Sequence, residues 1–159
     1  MKRAIFPGSF DPITVGHVEI VKRGTAVFDE IIVAVGVNDA KKYFFDLEER
    51  VEMLERSFAD MERVKVASYS ELTVEFARKV DADFILRGLR SPQDLSYEQP
   101  IELINKHMAP EIEIVHLLSS PETAAISSTI VREVIKFKGN VSGLLPEAIM
   151  EFVHARKYT

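Results

Sequence analysis

The stretch FPGSFDPITVGH, residues 6–17, carries the chain from a first strand into a first helix. Ala4, Ile5 and Phe6 end a short apolar strand, and Pro7 and Gly8 stop it. Ser9, Asp11, Pro12, Thr14 and Gly16 keep the next segment irregular, and His17 opens an amphipathic run that reaches Phe28. A strand that passes through a Gly/Pro loop into a helix is half of a strand–helix–strand unit. The rest of the chain repeats the pattern.

Four further Ile/Val-rich runs read as strands: 30–37, 63–68, 84–87 and 113–118, after a first strand at 3–6. Between and after them, runs of period near 3.6 predict helices over 17–28, 47–58, 72–80, 101–108, 129–137 and 147–155. Asp46 and Glu49 form a capping-box pattern for the second helix, and Pro146 suits the first position of the last. Pro100 allows a helix only if it starts around Gln99 or is kinked. This alternation predicts an α/β fold, a doubly wound Rossmann-like domain with a five-stranded parallel sheet. A length of 159 residues, with no repeat or linker, fits one domain over 1–159.

Composition narrows the chemistry. There is no cysteine, which excludes disulfides, thiolate nucleophiles and Cys-type zinc sites. A formal net charge of −5 without a long basic run argues against nucleic-acid binding. The longest apolar stretch, Ile31–Val37, is far below a membrane span, and Pro7 and Gly8 interrupt the opening residues too early for a signal peptide. The expectation is a soluble cytoplasmic protein with no membrane contact.

In doubly wound sheets the ligand crevice lies beyond the carboxyl ends of the strands, here segments 7–16, 38–46, 69–73, 88–94 and 119–128. Neither G-x-x-x-x-G-K nor G-x-G-x-x-G occurs. Gly16 would admit an anion to the first helix, whose free N–H groups and dipole favour it, and His17 adds a donor that the dipole keeps neutral. Taken singly the features are bland. Lys41 and Lys42 read as a solvated pair, Arg87 and Arg90 as surface charge, and Ser127-Ser128-Thr129 as a helix cap. His107, His116 and His154 show no metal spacing and read as structural. Their coincidence at strand ends is what points to a site.

PGSFDPITVGHVEIV, with Thr14-Val15-Gly16-His17, resembles the opening of the T/H-x-G-H nucleotidylyltransferases. ILRGLRSPQDLSYE (85–98), followed by Asn105 and ISST at 126–129, narrows the match. From Lys2 to about Pro146 the chain resembles the bacterial phosphopantetheine adenylyltransferase family. The resemblance implies transfer of AMP from ATP to 4′-phosphopantetheine, with Mg²⁺ accompanying ATP, a homohexamer, and coenzyme A as feedback inhibitor. It implies that His17 stabilises α-phosphate charge and that Ser9, Lys41, Thr73 and Arg87 hold the acceptor. The nucleotide would meet Ser9, Phe10, His17, Gly88, Leu89, Arg90, Glu98, Ile126, Ser127, Ser128 and Thr129. Tyr43 follows two lysines, so Lys42 competes with Lys41 for the acceptor. The alternatives are a nucleotidylyltransferase using CTP or a nicotinamide nucleotide, which the 85–98 stretch disfavours, and a silent ATP or coenzyme A sensor, which would not need His17.

Overall fold

A computed structural model describes residues 1–156. Strands β1 (Arg3–Gly8), β2 (Glu30–Gly36), β3 (Val64–Tyr69), β4 (Phe84–Leu89) and β5 (Glu113–Leu118) form one parallel sheet in the order β3-β2-β1-β4-β5. Each expected strand forms, with ends moved by at most two residues. The strand order reverses between β1 and β4, which makes that seam the ligand crevice.

Pro7 opens the seam. It lies inside β1, where it was expected to terminate the strand. β1 pairs with β2 all the way to Gly8–Val35, but with β4 only at Ala4–Phe84 and Ile5–Ile85. A proline has no N–H to donate, so it is tolerated where ladder pairing has ended. Its carbonyl instead accepts from Arg87 Nη1 at 2.7 Å.

Helices α1 (Val15–Gly24), α2 (Leu47–Ser57), α5 (Ser128–Lys136) and α6 (Met150–Ala155) cover one face of the sheet. Val21, Leu54, Val131, Ile135 and Val153 pack there against Phe6, Val33 and Leu86. Helix α3 (Thr73–Lys79) covers the other face, with Val74, Phe76 and Ala77 against Ile5, Ile32 and Ile85. Asp46 and Glu49 form the expected capping box. Pro146 does not begin an α-helix; it precedes a 3₁₀ turn, Glu147–Ile149, that leads into α6.

The largest departure is α4 (Pro92–Met108), expected only from Ile101 or from about Gln99. Ser91 caps it by accepting from Asp94 N–H, Pro92 sits in its first turn, and Pro100 lies inside it. No residue of α4 is buried, so the apolar stripe that would have revealed its first half does not exist. Start signals at Ser91-Pro92 were present and are the better guide here.

Asp11 ties the first loop to the chain after β2. It is buried, and its two carboxylate oxygens accept from Phe44 N–H and Phe45 N–H, each at 2.8 Å. Asp11→Ala would strand two backbone donors, one of them buried. We expect a loss of about 2–4 kcal/mol in urea unfolding, whereas a surface carboxylate such as Glu62 should lose almost nothing on the same change.

Candidate active site

Three cavities open along the carboxyl edge of the sheet. The first, about 390 Å³, is lined by the 6–17 loop, Arg87, Gly88, Arg90, Glu98 and Ile126–Thr129. The second, about 400 Å³, lies across Ser9 and Arg87 and is lined by Lys41, Thr73, Tyr97, Glu98, Ile101, Glu102 and Asn105. The third, about 670 Å³, adjoins the first at Ser9, Asp11, Thr129 and Arg132 and adds Lys41, Lys42 and Lys136.

His17 sits in the first turn of α1 and belongs to its cap. Thr14 is the N-cap; its Oγ1 accepts from His17 N–H, while Thr14 N–H donates to His17 Nδ1 at 3.0 Å. An Nδ1 that accepts a backbone N–H carries no proton. The neutral ring must then hold its proton on Nε2. Phe10 packs edge-on against the imidazole, with ring centroids 5.0 Å apart, and Phe6 lies beyond at 6.2 Å. Burial first, then the charges of Arg90 and Arg87, lower the His17 pKa to about 4. The ring is a neutral donor on the cavity wall at physiological pH.

Phe10 reaches that position at a positive φ of 46°. A β-carbon at Gly8 would stand 3.0 Å from Phe10 Cζ. Gly8 is therefore required by the Phe10 ring, and the strained backbone is held by packing.

Arg87 stands where the first two cavities meet. Its Nε donates to Glu98 Oε2 at 3.0 Å, its Nη2 to Glu98 Oε1, and its Nη1 to the Pro7 carbonyl. The guanidinium therefore spans the open seam in a fixed plane. Glu98, expected among the nucleotide contacts, lines both cavities and is the partner that orients Arg87. Arg90 lines the first cavity alone and pairs with Asp94 at 3.3 Å.

Helix α5 points its N-terminus at the first cavity. The three hydroxyls there already have intramolecular tasks: Ser127 Oγ caps Ile130 N–H, Ser128 Oγ donates to Pro12 O, and Thr129 Oγ1 accepts from Arg132. Ser127 and Thr129 only accept in these bonds, so their O–H protons remain for an anion, together with the amide N–H groups of the first turn and the helix dipole behind them.

Of the expected residues, Ser9, Phe10, His17, Gly88, Arg90, Glu98 and Ile126–Thr129 line the first cavity, and Ser9, Lys41, Thr73 and Arg87 line the second. Leu89 lines neither; it is buried, and its carbonyl accepts from Ser119 N–H. Thr123 and Ser120 hydrogen-bond to Glu19, which fixes the 119–126 segment to α1. The sequence reading missed Arg132, whose Nη1 donates to Asp11 O at 2.8 Å, and Asp94, Tyr97 and Glu102 on α4. Arg132 follows Ser128 by four residues, the i,i+4 spacing that puts it on the same helix face.

Comparison with known proteins gives a consistent picture. Residues 5–134 match the cytidylyltransferase-like family model. The chain is 50% identical over 149 residues to the phosphopantetheine adenylyltransferase of Flavobacterium psychrophilum, covering 94% of this chain and 98% of that protein. It is 49% identical to the protein of that name from Phocaeicola vulgatus over 149 residues, with 94% and 98% coverage. The Clostridium beijerinckii protein of that name is 44% identical over 156 residues, covering 98% of each chain.

Proposed function

The chain belongs to the phosphopantetheine adenylyltransferases within the cytidylyltransferase-like family, and from that premise we propose how its residues divide the work. It transfers the adenylyl group of ATP to 4′-phosphopantetheine, giving dephospho-coenzyme A and pyrophosphate. One observation carries the division: two cavities of similar size meet at Ser9 and Arg87, next to His17. The first holds the nucleotide and the second the acceptor.

In the transfer, an oxygen of the acceptor phosphate forms a bond to the α-phosphorus of ATP as the bond to pyrophosphate breaks. The nucleophile is already anionic, so positioning and charge stabilisation suffice. His17 donates its Nε2 proton as a hydrogen bond to an α-phosphate oxygen. Lys41 and Arg87 hold the acceptor phosphate, and Thr73 meets the pantetheine arm. Arg90, Arg132 and the amide groups that open α5 hold the outer phosphates that become pyrophosphate.

Among the described residues no cluster of three His, Cys, Asp or Glu could hold a metal, and both oxygens of Asp11 are engaged by backbone N–H groups. Magnesium would come with the nucleotide and, when bound, would supply charge neutralisation at the phosphates beside Arg90 and Arg132. We read the chain as a homohexamer by its family; apolar side chains exposed on α4, among them Leu103 and Ile104, offer a surface for self-association. No helix of the described residues is long and apolar enough to cross a membrane, which fits a cytoplasmic site of action. Coenzyme A, which carries the same arm as the product, is read as a feedback inhibitor at the acceptor cavity.

Release of pyrophosphate from ATP and 4′-phosphopantetheine by the pure protein tests the assignment. Two variants test the register. Lys41 lines the second and third cavities, whereas Lys42 lines only the third. Lys41→Ala should raise KM for 4′-phosphopantetheine by about ten-fold or more, and Lys42→Ala by no more than about two-fold. A larger defect at Lys42 would shift the acceptor to its neighbour.

A further inference from the structure

The acceptor cavity is electrically polar along its length. Arg87 stands where it meets the nucleotide cavity and Lys41 where it meets the third cavity, whereas Glu102, Asn105, Ile101 and Ile114 line neither of those two. Glu98 and Glu102 lie one turn apart on α4 and dock on two neighbouring strands. Glu98 binds Arg87 of β4, and Glu102 Oε1 binds His116 Nε2 of β5. Arg87 and His116 are register partners, so their side chains share one face of the sheet. The two contacts form a ladder between α4 and the sheet.

The lower rung differs from the upper one. Both oxygens of Glu98 are taken by Arg87, whereas among the described residues only Oε1 of Glu102 has a hydrogen-bond partner. The Glu102 side chain is 18% exposed and lines the cavity. Glu71, the third carboxylate lining it, has Oε1 on Lys79 and Oε2 on Ser70 N–H. Glu102 is thus the carboxylate lining this cavity that keeps one whole oxygen without a hydrogen-bond partner among the described residues, and Asn105 stands three residues further along the same helix. A carboxylate accepts and cannot donate. It suits an N–H group and repels another anion.

We propose that Glu102, oriented by His116, is a specificity-determining residue that reads the far end of the acceptor arm. The inference rests on the acceptor assignment made above. 4′-Phosphopantetheine carries two amide N–H groups along its arm and a neutral thiol at its tip. Glu102 accepts a hydrogen bond from an amide of the arm, and its charge rejects an arm that ends in a carboxylate. His116 acts through Glu102 as a positioning residue, since it does not line the cavity.

The test is steady-state adenylylation of two acceptors, 4′-phosphopantetheine and 4′-phosphopantothenate, which keeps the phosphate and one amide but ends in a carboxylate. The readout is the ratio of their kcat/KM values. In Glu102→Gln and Glu102→Ala the ratio should fall by about ten-fold or more, through a higher KM for 4′-phosphopantetheine and better use of 4′-phosphopantothenate. KM for ATP should stay within about two-fold. His116→Phe should reproduce the drop in ratio, and His116→Gln, which restores an N–H donor, should recover most of it. A wild-type ratio in both Glu102 variants would overturn the proposal. So would a rise in KM for ATP equal to that for the acceptor, which would mean that the pair only holds α4 in place. A wild-type protein that adenylylates neither acceptor would instead overturn the functional reading, and this proposal with it.

Discussion

His17→Ala should lower kcat by about 10²–10³ while changing ATP affinity only a few-fold. The reason lies in what the ring can donate and when. Nδ1 is occupied by Thr14 N–H, so the donor is Nε2, and burial with Arg90 and Arg87 keeps the ring neutral by lowering its pKa to about 4. A neutral donor fixed on the cavity wall gains most when charge accumulates on the α-phosphate, which is the transition state. Single-turnover rates and calorimetric ATP titration separate the two effects. Near-normal turnover in the variant would remove His17 from the chemistry.

The same ring has a stability signature. Between about pH 6.5 and pH 4 the unfolded chain binds a proton that the folded His17 site refuses, so the folded state loses stability as pH falls through that window. The loss is on the order of 3 kcal/mol by pH 4 and stops below it. His17→Asn, which does not titrate, should lack this slope. Urea unfolding of both proteins at pH 7 and pH 4.5 measures the difference.

The second large effect is expected at Arg87. Its three guanidinium nitrogens hold Glu98 and the Pro7 carbonyl across the open seam, and its side chain borders both substrate cavities. Arg87→Ala should lower kcat/KM by about 10³ and raise KM for both substrates. From sequence alone its loss would be confined to the acceptor; the shared position argues for both. The variant also leaves the Glu98 carboxylate, 13% exposed, without its cation, at a cost of about 3 kcal/mol. Arg87→Lys should recover little, because an ammonium cannot reproduce the planar fork. Glu98→Gln separates the roles: it removes the charge that orients Arg87 but leaves the guanidinium, so its defect should be much smaller than that of Arg87→Ala. Equal defects would show that the pair acts only as a structural brace.

The strands were legible because Ile/Val runs between Gly/Pro loops are strong signals, and the loops after them located the site. What escaped the sequence was the partner of each side chain. Arg87 and Glu98 are 11 residues apart, and nothing in their spacing shows that a carboxylate expected on the nucleotide also clamps the arginine. Ser127 caps its helix as the sequence suggested, but nothing in the sequence shows that Ser128 would donate to the carbonyl of Pro12, 116 residues away. Helix α4 was under-read for a different reason. None of its residues is fully buried, and those it half-buries include Glu98 and Glu102, so periodicity had no apolar core to report, and Pro100 argued falsely for a late start.

The open seam also bears on how the protein is made. β1 is translated before both of its sheet partners, and it ends at the middle of the sheet. β2 follows soon after, but Phe84, the partner of Ala4 on the other edge, is translated about 80 residues later. At roughly 5–20 residues per second, that edge stays unpaired for some 4–16 s. A nascent chain with an exposed apolar strand edge invites pairing with a neighbouring polypeptide. Pro7, placed on that edge without a donor, shortens the stretch that an intruder could zip onto.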